Sequence, residues 1–146
     1  MFTIALGSDH AGFALKAHLV EVLGFLGYEV LDLGTHSSDR VDYPQFGDAV
    51  GRAVVSGGAE MGICVCGTGL GIAMAANKVP GIRAAPVHDV TSARMAKEHN
   101  DCNVLCLGER LMGITVAEDC VKAWLNATFE GGRHQRRVSK LDALGG

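Results

Sequence analysis

Short apolar runs of strand length alternate along the chain with longer stretches whose apolar positions recur at helical spacing. Runs at 2–6, 28–33, 61–65, 82–87 and 104–107 predict five strands. The stretches 13–26, 46–56, 70–77 and 90–98 predict helices between them. A further helix is expected at about 115–125 and a last short one near 133–144. Strand and helix in alternation imply right-handed crossovers and a parallel sheet covered on both faces. The expected fold is therefore α/β: a three-layer α/β/α, Rossmann-like domain on a five-stranded parallel sheet. No linker, repeat or low-complexity stretch interrupts it, so residues 1–146 read as one domain. The tail, 127–146, lies beyond the last strand and is free to pack on a partner subunit.

Four of the predicted strands run into a glycine: Gly7, Gly34, Gly67 and Gly108. Open parallel sheets bind ligands outside the carboxyl ends of their strands, where the backbone turns sharply and approaches the ligand closely. Glycine permits both. The residues just past these points are Ser8-Asp9-His10, Thr35-His36, Thr68-Gly69 and Glu109-Arg110, and the remaining strand ends at His88-Asp89. That edge is polar in a chain that is otherwise apolar.

Composition sharpens the picture. Glycine supplies 20 of 146 residues, about 14% against an average near 7%. Hydrophobic residues reach 48% and charged residues only 20%, a thin charged coat that fits a doubly covered sheet or a large subunit interface. No apolar run approaches the roughly 20 residues of a helical membrane span. The opening residues carry no basic segment before their apolar stretch, so a secretory signal is not expected. Five cysteines without framework spacing then read as reduced thiols of a cytoplasmic protein. A net charge of -3 lacks the basic footprint of a nucleic-acid binder.

The sharpest candidate chemistry is Cys66-Gly67-Thr68-Gly69-Leu70-Gly71, between a buried strand and a helix. Alternate glycines there expose backbone N–H groups at a helix N-terminus, a ready anion site. The spacing matches neither a P-loop nor a dinucleotide fingerprint. A tight turn preceded by a core cysteine is the plainer reading, but thiols at helix N-termini ionise more readily than free ones and can act as base or nucleophile. Asp9 is either a helix cap or a ligand contact, and His10 beside it offers a donor at neutral pH. His99 and Asn100 close a helix, where a histidine suits the dipole and Asn100 fits a left-handed cap. Arg133 and Arg137, four apart, share a helix face that is either merely solvated or able to clamp a phosphate. The histidines show no paired metal-ligand spacing, so no metal and no cofactor are expected.

Taken in order, these stretches resemble the type B ribose-5-phosphate isomerase family, which includes isomerases of allose 6-phosphate and galactose 6-phosphate. The matching residues are Gly7 through Gly12, Asp42-Tyr43-Pro44, the Cys66 to Gly71 turn, Ala76-Asn77-Lys78, Gly81-Ile82-Arg83-Ala84, Glu98-His99-Asn100-Asp101 and Gly132-Arg133-His134-Gln135. The resemblance implies metal-independent interconversion of ribose 5-phosphate and ribulose 5-phosphate through an enediolate. It makes Cys66 the base, the N–H groups from Gly67 to Gly71 the oxyanion donors, and Thr68 with His99 the ring-opening pair. It gives Asp9 and Asn100 to sugar hydroxyls, with Tyr43 near the same pocket. It gives His10, Arg110, Arg133 and Arg137 to the phosphate, the last two reaching over from a partner in a homodimer or tetramer. Alternatives are another sugar phosphate (allose 6-phosphate, galactose 6-phosphate or a tetrose phosphate) or a non-catalytic sugar-phosphate sensor on the same fold.

Overall fold

The computed structural model describes residues 2–145. Strands β1 (Thr3–Ser8), β2 (Glu29–Asp32), β3 (Met61–Cys66), β4 (Ala84–Pro86) and β5 (Val104–Gly108) form one sheet in the order β2-β1-β3-β5-β4. Every pairing is parallel. Helices α1 (Phe13–Phe25), α2 (Pro44–Val55), α3 (Leu70–Ala76), α4 (Val90–Asn100), α5 (Ile114–Asn126) and α6 (Arg133–Ala143) follow, with a 3-10 turn at His10–Gly12 ahead of α1. The α/β/α fold expected from the hydrophobic pattern is the one observed. No helix among the described residues is long and apolar enough to cross a membrane.

Alternation along each strand divides the core in two. Ile4, Leu6, Ile63, Val65, Leu105 and Leu107 face one layer with Leu19, Val121 and Trp124. Ala5, Cys64, Cys66, Val104 and Cys106 face the other with Val50 and Ile72. The period of two thus turns Cys66 toward α2 and α3. The strand at 82–87 is shorter than predicted. Ile82 is buried, but its N–H donates to Val79 O at 3.1 Å in a turn, so ladder pairing starts only at Ala84.

The sheet order changes direction between β1 and β3, since β2 lies on one side of β1 and β3 on the other. That switch point opens a crevice at the carboxyl edge, the usual place for a ligand. Nearby, the turn after β2 is held by an ion pair between a buried lysine and a partly exposed aspartate. Lys16, 1% exposed, reaches Asp32 Oδ1, which also accepts the Gly34 N–H at 3.0 Å. Burial alone would raise the Asp32 pKa; the bonds from Lys16 and Gly34 outweigh it and hold the carboxyl below its ordinary 3.8. The stability this lends is complete above pH 3.8 and is lost as pH falls through the lower, folded-state value.

Asp32→Asn strands a buried ammonium, whereas Lys16→Met leaves a carboxylate that still reaches water. Urea unfolding should show a loss of about 2–3 kcal/mol for Asp32→Asn, just under the range for a fully buried pair, and a smaller loss for Lys16→Met. The reverse order would refute this account of the pair.

Candidate active site

The carboxyl ends of β1, β3 and β5 bring three loops together. After β1, the Asp9 N–H donates to Val65 O at 3.3 Å, tying the loop to β3, while Asp9 Oδ1 caps the 3-10 turn by accepting the Gly12 N–H at 3.1 Å. The cap reading of Asp9 therefore holds for one carboxylate oxygen. His10 Nδ1 lies 3.0 Å from the carbonyl and 3.1 Å from the N–H of Val41, so either tautomer finds a partner. With Nδ1 engaged, Nε2 is the ring nitrogen that remains for a ligand.

The turn after β3 is the most constrained part of this edge. Gly69 has φ +80°, a left-handed conformation, and starts α3. The turn lies directly on the end of β5: a Cβ on Gly108 would sit 2.6 Å from the Thr68 carbonyl carbon and oxygen. Cys66 Sγ, in a residue 4% exposed, accepts the Gly69 N–H at 3.2 Å, and Thr68 Oγ1 accepts the Leu70 N–H at 3.2 Å. Two of the five N–H groups expected to face an oxyanion are therefore engaged within the turn. Gly67, Thr68 and Gly71 remain from that set.

Neighbouring loops brace the turn. Glu109 N–H donates to Cys66 O and Arg110 N–H to Gly67 O, each at 2.9 Å, and the Arg110 side chain runs over Gly67. The Tyr43 ring, at the start of α2, packs against Gly71. His88 Nε2 donates to Thr68 O at 2.9 Å, a contact the sequence reading did not assign. Its only signal was the polar His88-Asp89 end of a strand. Glu109 also turns out structural, since its Oε1 accepts the Leu15 N–H at 2.7 Å.

The remaining candidates lie elsewhere. Helix α4 starts at the carboxyl edge and returns to the amino edge, so His99 and Asn100 end far from Cys66. Lys97 Nζ, two residues before His99, is 3.4 Å from Met61 Sδ at the start of β3. Cys66 is five residues further along that strand, roughly 16 Å at a rise of 3.2–3.4 Å per residue. Asn100 is not the left-handed cap; Asp101 is, at φ 47° and ψ 45°, and Asn100 stays helical.

Helix α6 lies over this amino edge. It buries His134 and Val138 and exposes Arg133, Arg136 and Arg137. Arg83 Nη1 bonds Asp142 Oδ1 at 2.8 Å, fastening its far end. A cleft of about 710 Å³ opens here, lined in part by Asn77, Lys78, Arg83 and Asn100. One chain thus gathers Asp9, His10, Tyr43, Cys66, Thr68 and Arg110 at one edge, and His99, Asn100, Arg133 and Arg137 at the other.

His99, Glu130 and His134 hold their potential donor atoms within 4.8 Å of one another. Yet the two imidazoles are stacked, with centroids 4.4 Å apart and planes 10° from parallel. Their lone pairs run side by side instead of converging, which suits a stack better than a cation.

A doubly wound sheet with a buried thiol and a glycine-rich turn at its carboxyl edge defines an α/β protein whose candidate chemistry lies beside its switch point. A family model described as Ribose/Galactose Isomerase matches residues 4–141. Ribose-5-phosphate isomerase B of Escherichia coli (strain K12) is 49% identical over 144 residues, which cover 99% of this chain and 97% of that protein. A structure of ribose-5-phosphate isomerase B from Clostridium thermocellum has a TM-score of 0.95 and 54% identity, covering 96% of this chain and 95% of that one. The Mycoplasma genitalium ribose-5-phosphate isomerase B, solved with bound ribulose 5-phosphate, has a TM-score of 0.93 and 41% identity, with coverage of 97% and 94%. The chain belongs to the ribose/galactose isomerase family.

The close approach of Gly108 to Thr68 predicts that Gly108→Ala forces the turn off β5. It should cost about 1–3 kcal/mol in urea unfolding. Gly24→Ala, in open space on α1, should instead gain roughly 0.5–1 kcal/mol. Equal effects would mean that the contact does not constrain the turn.

Proposed function

We propose that this protein is an aldose–ketose isomerase that interconverts ribose 5-phosphate and ribulose 5-phosphate through an enediolate, without a metal, at a site built from two copies of the chain. The observation that carries the reading is the turn after β3. It holds a thiol sulfur 3.2 Å from a backbone donor and leaves further N–H groups at the start of a helix.

The hydrogen on carbon 2 is too weakly acidic for a neutral-pH base unless the negative charge that forms on the carbonyl oxygen is stabilised. Cys66, as thiolate, takes that proton. The C2–H electrons become the C1–C2 double bond, and the carbonyl electrons move onto the carbon 1 oxygen. The N–H groups of Gly67, Thr68 and Gly71 receive this charge; one preorganised donor is worth about 2.7–4 kcal/mol in transition-state stabilisation. The hydroxyl proton on oxygen 2 passes to oxygen 1, and the thiol returns its proton to carbon 1. Atoms and electrons balance with no external oxidant or reductant.

The edge-to-edge separation of the candidates supports assembly from two copies. The carboxyl edge of one chain supplies Cys66, Thr68, Asp9, Tyr43, His10 and Arg110. The amino edge of the other supplies His99, Asn100, Arg133 and Arg137. Thr68 and the second copy's His99 open the furanose ring; Asp9 and the second copy's Asn100 hold sugar hydroxyls. His10 Nε2 and the arginines bind the phosphate, whose remote binding energy fixes the reacting carbons. Solvent-exposed Leu70 and Met74 on α3, beside the thiol turn, are apolar surface that a second copy would cover. Five free cysteines support a reducing, cytoplasmic setting.

Turnover of ribose 5-phosphate should survive a chelator and fall by about 10²–10⁴ in Cys66→Ala, as expected for loss of a general base. Replacing Arg137 with alanine should raise KM more than it lowers kcat. Near-normal turnover by Cys66→Ala would remove the thiol from the mechanism.

A further inference from the structure

The stacked pair at the amino edge joins a residue with an assigned task to one without. His134 is 6% exposed, and its Nε2 is buried without a hydrogen-bond partner. Its ring lies flat on His99. Glu130 Oε1 stands 3.8 Å from His99 Nε2 and 3.5 Å from His134 Nε2, so one carboxylate oxygen faces the same edge of both rings. The Glu130 N–H donates to Glu98 O at 3.0 Å, which ties the segment carrying these groups to the end of α4, and the segment turns on itself where the His134 N–H donates to Gly131 O at 3.0 Å. What His134 presents to His99 is its flat face, 4.4 Å away between centroids and 10° from parallel, and not its unpartnered nitrogen.

We infer that His134, with Glu130, is a positioning residue for ring opening: its flat face sets the plane of His99, and the carboxylate places a negative charge along the Nε2 edge of both rings. This rests on the isomerase reading above, in which His99 moves protons between the sugar's ring oxygen and its anomeric hydroxyl. Proton transfer requires the nitrogen in line with its oxygen partner, and an imidazole held only by its χ angles would swing out of line. Burial, together with the neighbouring cations Arg133 and Arg137 and with His99, pushes the His134 pKa down against the pull of Glu130. A neutral ring in the stack lets His99 accept a proton without a like charge against its face.

Ring opening can be separated from the integrity of the rest of the site, because an open-chain phosphohydroxamate that mimics the enediolate binds without it. His134→Ala should lower kcat for ribose 5-phosphate about tenfold or more, while the Kd of a four-carbon phosphohydroxamate stays within about twofold. His134→Phe, which keeps a flat ring against His99, should recover most of the lost turnover. Glu130→Gln, at a half-exposed position that leaves the fold intact, should show the same split more weakly. Unchanged turnover in His134→Ala, a parallel loss of turnover and hydroxamate affinity, or no recovery with Phe would each overturn the positioning role. A wild-type protein that neither turns over ribose 5-phosphate nor binds the hydroxamate would instead overturn the isomerase reading itself.

Discussion

In a parallel, doubly wound sheet every strand ends at the same edge, and every crossover helix carries the chain back to the other. That polarity governs the whole molecule. It collects Asp9, Cys66 and Arg110 at the carboxyl edge because Cys66 ends β3 and the other two follow β1 and β5. It sends His99 and Asn100 to the amino edge because they finish α4. A single chain cannot fold them together without breaking the sheet. A catalytic set that includes both groups therefore calls for two copies, arranged so that the amino edge of one covers the carboxyl edge of the other. A two-fold axis does this twice in one dimer.

The second constraint is the thickness of the backbone. The thiol turn rests on the end of β5 with no room for a Cβ at Gly108, and two of its N–H groups are bonded within the turn itself. Part of the donor set fixes the shape of the turn by bonding Cys66 Sγ and Thr68 Oγ1. The N–H groups of Gly67, Thr68 and Gly71 take no part in those two bonds. His88, Tyr43 and Arg110 brace the turn from three sides. Cys64 and Cys106, side by side in the β3–β5 register, are deeply buried, and burial pushes the Cys106 thiol well above its ordinary range. Position at the strand end, beside the donors, is what sets Cys66 apart from them.

Much of this was legible from hydrophobic periodicity. The five strands and six helices lie within a few residues of their expected limits, because apolar runs of period 2 and amphipathic stretches of period 3.6 rarely imitate one another. The layer faced by Cys66 follows from counting along β3. The distance between Cys66 and His99 was also implicit, since a helix between two parallel strands must end at the amino edge, but motif matching treats residues as a set and ignores which edge they occupy. Other features had no local signal. The His88 bond to Thr68 depends on where two distant loops meet. His134 sits in an arginine-rich tail that reads as solvated, and only its i+4 partner Val138 hints at a buried face. Asp101 in place of Asn100 as the left-handed cap is a one-residue shift of the kind helix ends commonly show.

In the proposed site a thiol from one copy and an imidazole from another act on the same sugar. Co-expressing Cys66→Ser with His99→Asn chains tests it directly, because a mixed dimer then holds one site in which both groups are intact. Random pairing should restore about one quarter of wild-type turnover from two parents that are each nearly inactive. Turnover no higher than the average of the two parents would show that Cys66 and His99 do not meet across an interface.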